Sequence, residues 1–93
     1  MPIAVELVSP EENLFEGEAS FVKATTVEGD IGFLEGHIPI LAQLAPSELM
    51  VRATDGQEHV FQIDGGFLVL RDDRLIILME GAAGGEGDMQ EPA

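Results

Sequence analysis

Alternation of apolar and polar residues with a period of two is the feature that most constrains the fold of this chain. It runs through residues 3–8, 49–54, 60–63 and 67–70. A β-strand places successive side chains on opposite faces, so this period predicts strands that each turn one face toward a core. The run Leu-Ile-Ile-Leu-Met at residues 75–79 is apolar throughout, which predicts a strand buried on both faces.

Turn signals separate these runs at intervals of roughly 8–12 residues, as in an all-β sandwich. Asp55-Gly56 predicts a type I′ hairpin, and residues 71–74 predict a second tight reversal. Breaks are expected at residues 9–13, 45–47 and 64–66, and the only helical alternative is one turn after Ser9, too short to stand alone. The chain is therefore predicted to be all-β, with one antiparallel β-sandwich or flattened barrel of about 8–10 short strands over residues 1–80.

The composition changes at Gly81. Residues 81–93 are rich in glycine and acidic residues and contain few large apolar side chains. Such a segment buries too little apolar surface to offset the entropy lost on ordering, so we predict a flexible, acidic, glycine-rich tail.

Charge and composition exclude several functions. The 93 residues carry 18 acids against four bases, a net charge of −14, which argues against nucleic acid and anionic lipid as partners. The acids form a solvated surface, meet a basic partner, or reflect a source in high salt. There is no cysteine and no apolar run long enough for a membrane helix, and no secretion signal is visible. His37 and His59 stand 22 residues apart without metal-ligand spacing, so no metal, cofactor or catalytic residue is expected.

The densest cluster of special residues is the segment 28–41, Glu-Gly-Asp-Ile-Gly-Phe-Leu-Glu-Gly-His-Ile-Pro-Ile-Leu. Its three glycines permit positive φ, and Pro39 restricts the two residues before it to extended geometry. The glycines do not open a helix, so the segment is not a phosphate-binding loop. It predicts a shaped loop system that presents acidic side chains.

This segment resembles the Gly-acidic-x-Gly … Gly-His-x-Pro-Leu/Ile-Leu signature of the N-terminal β-sandwich of the epsilon subunit of F-type ATP synthases. Further similar motifs are Val-Glu-Leu-Val-Ser-Pro at residues 5–10 and Ile-Asp-Gly-Gly-Phe at 63–67, so the resemblance covers about residues 3–80. Glu35 stands where the family usually has proline. Family members also continue into a two-helix C-terminal domain that this chain lacks. The mixed composition of the tail favours a naturally short protein over a fragment.

The resemblance implies a non-catalytic rotor subunit of the central stalk that links the gamma subunit to the c-ring and so couples ion flow to ATP synthesis. It implies a peripheral location at the cytoplasmic face of the inner or plasma membrane. The candidate c-ring contacts are Glu28, Asp30 and His37. The candidate gamma-subunit contacts are Ile40, Leu41, Leu78 and Met79. Each candidate also has a purely structural interpretation. Glu28 and Asp30 would belong to a solvated turn, His37 would be a turn histidine, and the four apolar residues would be ordinary sandwich core.

Two rival functions come from other classes. A free-standing sandwich module that binds carbohydrate or a small ligand usually exposes aromatic residues, but this chain has no Trp or Tyr and five Phe. A metal-dependent enzyme of the cupin type needs a cluster of histidines, and the chain has two.

Overall fold

The computed structural model describes residues 2–80 and 86–87, which form seven strands and no helix. The strands are β1 (Ile3–Val8), β2 (Asn13–Thr26), β3 (Gly29–Phe33), β4 (Ile40–Ala53), β5 (Glu58–Arg71), β6 (Arg74–Met79) and β7 (Glu86–Gly87). No helix among the described residues could cross a membrane. The predicted flexible tail lies outside the described residues, apart from β7, whose two residues pair with β5.

The strands close into a flattened barrel. Their order is β1-β6-β5-β4-β2-β3, and β1 also pairs with β2, so five strands close the sheet while β3 extends it beyond β2. Every described pairing is antiparallel except that between β1 and β6, which is parallel. The all-β sandwich or barrel predicted from the sequence is confirmed.

The described strands are fewer and longer than predicted, because two of the expected breaks lie inside strands. Pro46 belongs to β4 and pairs with Asp64 of β5, so residues 45–47 do not interrupt the strand. Gly65 and Gly66 lie inside β5 at φ values of 106° and 143°, where glycine allows the strand to continue through an unusual backbone conformation. Strands β2, β4 and β5 each reach 14 residues.

The core consists of the inward-facing residues that the period of two predicts. In β1 the apolar residues at positions 3, 5 and 7 are all buried, and the residues between them are not. Burial of each large apolar side chain contributes about 1.5–3 kcal/mol to folding. The largest of them include Phe33, Phe61, Ile3, Leu7, Leu68 and Ile77.

The type I′ turn lies at the β5–β6 reversal and not at Asp55-Gly56, where the sequence predicts it. Gly56 has a φ of 92° but Asp55 is not at positive φ, and the Gly56 N–H donates to the Ala53 carbonyl oxygen at 2.9 Å. This is a type I turn completed by a left-handed glycine, so the type I′ prediction for Asp55-Gly56 is wrong. Asp72 and Asp73 adopt φ values of 54° and 59°, the type I′ combination, between β5 and β6.

Candidate functional site

A groove lies between the β2–β3 hairpin and the start of β4. Residues 26–31 line one side, residues 40–43 line the other, and its volume is about 430 Å³. The groove brings together four of the seven predicted contact residues, Glu28, Asp30, Ile40 and Leu41. We call this surface the hairpin groove.

The acidic side of the hairpin groove is held by threonine hydroxyls. Thr25 Oγ1 donates to Asp30 Oδ1 at 2.8 Å, and Thr26 Oγ1 donates to the Gly29 carbonyl oxygen at 2.9 Å while accepting the Glu28 N–H at 3.0 Å. These bonds fix the hairpin, and Gly29, the first residue of β3, has a φ of 131°. No ion pair or side-chain hydrogen bond engages the Glu28 carboxylate within residues 2–80. Both carboxylates are exposed, so they can meet a cationic partner.

His37 lies in the neighbouring loop 34–39, between β3 and β4, and does not line the hairpin groove. Its ring packs edge-on against the buried Phe33 at 5.1 Å between centroids, and Nδ1 lies 2.7 Å from the Ile38 carbonyl oxygen. The imidazole is thus held by its own loop. Next to it, Leu34 and Ile38 are 60% and 73% exposed, which makes the loop an apolar projection.

A second surface covers the outward side of β1, β6, β5 and β4. Backbone pairing aligns Val8, Leu78 and Phe67 in one row and Ile76, Val69 and Leu41 in the next. Directly paired residues in a sheet share a face, so these side chains form one contiguous apolar patch. Leu41, Phe67 and Leu78 are 71%, 47% and 46% exposed, and the other three are half-buried. We call this patch the outer apolar face.

This patch corrects one sequence-based prediction. β6 was predicted to be buried on both faces, but Leu78 is exposed and Ile76 is only half-buried. An apolar strand with an uncovered side is typical of a surface that another molecule covers. The continuous apolar run at 75–79 is therefore the sequence signal for an interface, although the prediction of a strand buried on both faces assigns it to the interior.

The four predicted gamma contacts fall into different environments. Leu41 and Leu78 lie on the outer apolar face. Ile40 is half-buried and packs against the core. Met79 is 4% exposed, because it alternates with Leu78 and points inward, so it presents no surface and is not retained as a contact. Sequence reasoning missed Phe67, Val69, Ile76 and Val8 because it located them only as strand residues.

Within residues 2–80 and 86–87, no three His, Asp or Glu side chains are arranged to hold a metal ion. What the described chain offers is two exposed surfaces on a closed sheet, an acidic groove beside an apolar loop and a broad apolar face. Exposed apolar patches are typical of surfaces that another molecule covers, so the described residues define a class of small all-β domain with two candidate contact surfaces.

Comparisons with known proteins agree with this class. The family model for the ATP synthase delta/epsilon chain β-sandwich domain matches residues 2–85, and this chain therefore belongs to that family. It is 43% identical over 82 residues to an ATP synthase epsilon chain of Frankia casuarinae, covering 88% of this chain and 96% of that relative. It is 48% identical over 79 residues to an ATP synthase epsilon chain of Corynebacterium diphtheriae, covering 84% of this chain but 64% of the relative, just under two thirds of its length.

Among solved structures, a chain in the cryo-EM structure of the Euglena gracilis mitochondrial ATP synthase, comprising OSCP, F1 and the c-ring, superposes with a TM-score of 0.84. The match is 26% identical and covers 99% of this chain and 56% of that one. The alternative of a free-standing carbohydrate- or ligand-binding module is not favoured, since the named relatives are ATP synthase subunits.

Proposed function

We propose that this chain is a rotor subunit of the central stalk of ATP synthase, which joins the gamma subunit to the c-ring so that ion flow is coupled to ATP synthesis. The single observation that carries this proposal is the match of the delta/epsilon family model to residues 2–85, nearly the whole described chain. In this role the subunit has no catalytic site of its own. It is peripheral to the membrane, at the cytoplasmic face, and is held there by the complex.

The outer apolar face is the proposed gamma-subunit contact. It exposes Leu41, Phe67 and Leu78, and the removal of these leucines and the phenylalanine from water would favour association. Leu41 and Leu78 remain from the sequence prediction. Phe67 is added because it is exposed on β5, the strand between those of Leu41 and Leu78, and aromatic anchors dominate many interfaces.

The hairpin groove and loop 34–39 are the proposed c-ring contact. Glu28 and Asp30 supply exposed carboxylates, and His37 belongs to the adjoining loop. Carboxylates facing basic side chains of a partner form charge-assisted bonds that orient the two surfaces and speed their encounter. The strong negative charge of the chain suits a partner whose exposed loops are basic.

Two reciprocal substitutions test the assignment of the surfaces. Phe67→Gln should weaken binding to purified gamma subunit about tenfold, since loss of an aromatic anchor costs more than 1 kcal/mol. Glu28→Lys should leave gamma binding unchanged and weaken binding to a purified c-ring–gamma complex, with a reduced dependence on salt. Binding is measured by titration of the labelled chain.

Each variant is the control for the other, because both residues are exposed and neither substitution should change the free energy of unfolding by more than about 0.5–1 kcal/mol. Equal effects of the two variants on both partners would contradict the division into two surfaces. Failure of the unaltered chain to bind gamma at all would overturn the rotor proposal.

A further inference from the structure

Loop 34–39 is anchored by a carboxylate from a distant part of the chain. The Gly36 N–H donates to Asp73 Oδ1 at 2.8 Å, across a separation of 37 residues. The carbonyl oxygen of Asp73 also accepts the N–H of Ala4 at 2.8 Å. One residue of the β5–β6 turn therefore joins this loop to the beginning of β1.

The geometry of the turn selects Asp73 for this contact. Both central residues of the turn are left-handed, yet only Asp73 directs its carboxylate at the loop. Asp72 is exposed, and its carboxylate lies 3.7 Å from Nε of Arg71. The two aspartates thus share a backbone conformation and a charge but differ in what they contact.

The bonded N–H belongs to the peptide that defines the type of turn at residues 34–37. The His37 N–H donates to the Leu34 carbonyl oxygen at 3.2 Å, and Gly36 at the third position has a φ of 82°, which is the type II arrangement. Types I and II differ in the orientation of the central peptide, between the second and third residues. The N–H of that peptide is the group that Asp73 accepts, so its carboxylate favours type II over type I.

We propose that Asp73 is a positioning residue for the c-ring contact. Its hydrogen bond to Gly36 holds the turn in the type II form and thereby sets the direction in which Leu34, His37 and Ile38 project. This inference rests on the proposed function, in which loop 34–39 faces the c-ring. It assigns to the β5–β6 turn, which itself carries none of the predicted contacts, a part in shaping that surface.

The test uses three variants of the full chain. Asp73→Gly removes the carboxylate without strain, because glycine accepts positive φ readily, and Asp72→Gly makes the same backbone change without touching the loop. Asp73→Asn keeps an acceptor oxygen and a residue that tolerates the left-handed region, so it should restore the contact.

The first measurement is amide hydrogen exchange of Gly36 by NMR in the free chain. Asp73→Gly should speed exchange roughly tenfold, as expected for loss of a charge-assisted hydrogen bond, while the other two variants stay close to the unaltered chain. Unchanged exchange at Gly36 in Asp73→Gly would overturn the inference.

The second measurement is binding to the purified c-ring–gamma complex. Asp73→Gly should bind about fivefold more weakly, with Asp73→Asn and Asp72→Gly near the unaltered affinity. Faster exchange with unchanged binding would overturn the positioning role. If the unaltered chain does not bind the complex, the proposed function fails and the positioning role fails with it. That outcome is distinguishable from a failure of the Asp73–Gly36 contact itself, because the exchange at Gly36 is measured without any partner.

Discussion

At the scale of single residues, Gly66 stands where the neighbouring strand leaves no room for a side chain. Its φ is 143°, and a Cβ atom built there would overlap the carbonyl oxygen of Leu78 and lie 3.0 Å from Cα of Met79. The neighbouring strand is part of the closed sheet and cannot move away without loss of its pairing. Glycine is therefore required here for close approach as well as for the backbone angle.

We expect Gly66→Ala to lower the free energy of unfolding by about 3 kcal/mol or more, because backbone strain and a steric clash add together. Gly56→Ala is the matched control, since Gly56 also has positive φ but nothing lies within 4 Å of its added Cβ. Strain alone should cost about 1–2 kcal/mol there. Urea denaturation of both variants measures the difference, and equal losses would contradict the close approach at Gly66.

At the scale of elements, the connection from β1 to β2 depends on Ser9. Its hydroxyl accepts the N–H groups of Glu11 and Glu12 at 3.3 and 3.1 Å and donates to the Glu12 carbonyl oxygen at 3.1 Å. The sequence predicts a break at residues 9–13, with one helical turn after Ser9 as the alternative, and β2 begins at Asn13 without that turn. The hydroxyl satisfies backbone donors as a helix cap does, and the chain instead reverses into the next strand.

Ser9→Ala should lower the free energy of unfolding by about 1–2 kcal/mol, since Ser9 is 6% exposed and its loss leaves two backbone donors without their acceptor. Ser20→Ala is the control. The Ser20 hydroxyl is exposed and makes one long bond of 3.4 Å to the Arg52 carbonyl oxygen, so its removal should cost about 0.5 kcal/mol or less. Thermal and urea unfolding would refute the role of Ser9 if both variants behaved alike.

At the scale of the whole molecule, charge is strongly unbalanced. The short chain carries eighteen acids and four bases, and backbone pairing places Glu6 directly opposite Glu16 on neighbouring strands. Like charges in that arrangement repel, and the summed repulsion weakens the compact state. Of the few bases, Arg52 is engaged locally, with its guanidinium 3.0 Å from the Glu58 carboxylate.

We expect the midpoint of thermal unfolding to rise as sodium chloride is increased, because salt screens repulsion between exposed charges. Glu16→Gln should raise the midpoint at low salt by about 2–4 °C, equivalent to roughly 0.5 kcal/mol in a domain of this size, and should flatten the salt dependence. Differential scanning calorimetry at several salt concentrations measures both effects. A midpoint that fell or did not respond to salt would show that repulsion is unimportant.

The sequence by itself determined the all-β class, the inward residues of β1 and the family, since a period of two and local motifs are properties of neighbouring residues. It also identified Glu28, Asp30, His37, Leu41 and Leu78 as candidates, and the structure leaves Leu41 and Leu78 on the outer apolar face while grouping Asp30 with Glu28 in the hairpin groove.

Only the tertiary structure decided which apolar side chains are left uncovered. The burial of β6 on its second side depends on what packs there, which no local pattern encodes. The apolar run predicts β6 buried on both faces and the family resemblance implies Met79 as a contact, whereas Leu78 is exposed and Met79 is buried. Likewise, the contact of Asp73 with Gly36 exists because the closed sheet brings together residues far apart in the chain. Local periodicity fixes which way a side chain points, whereas the closure of the sheet fixes what it meets.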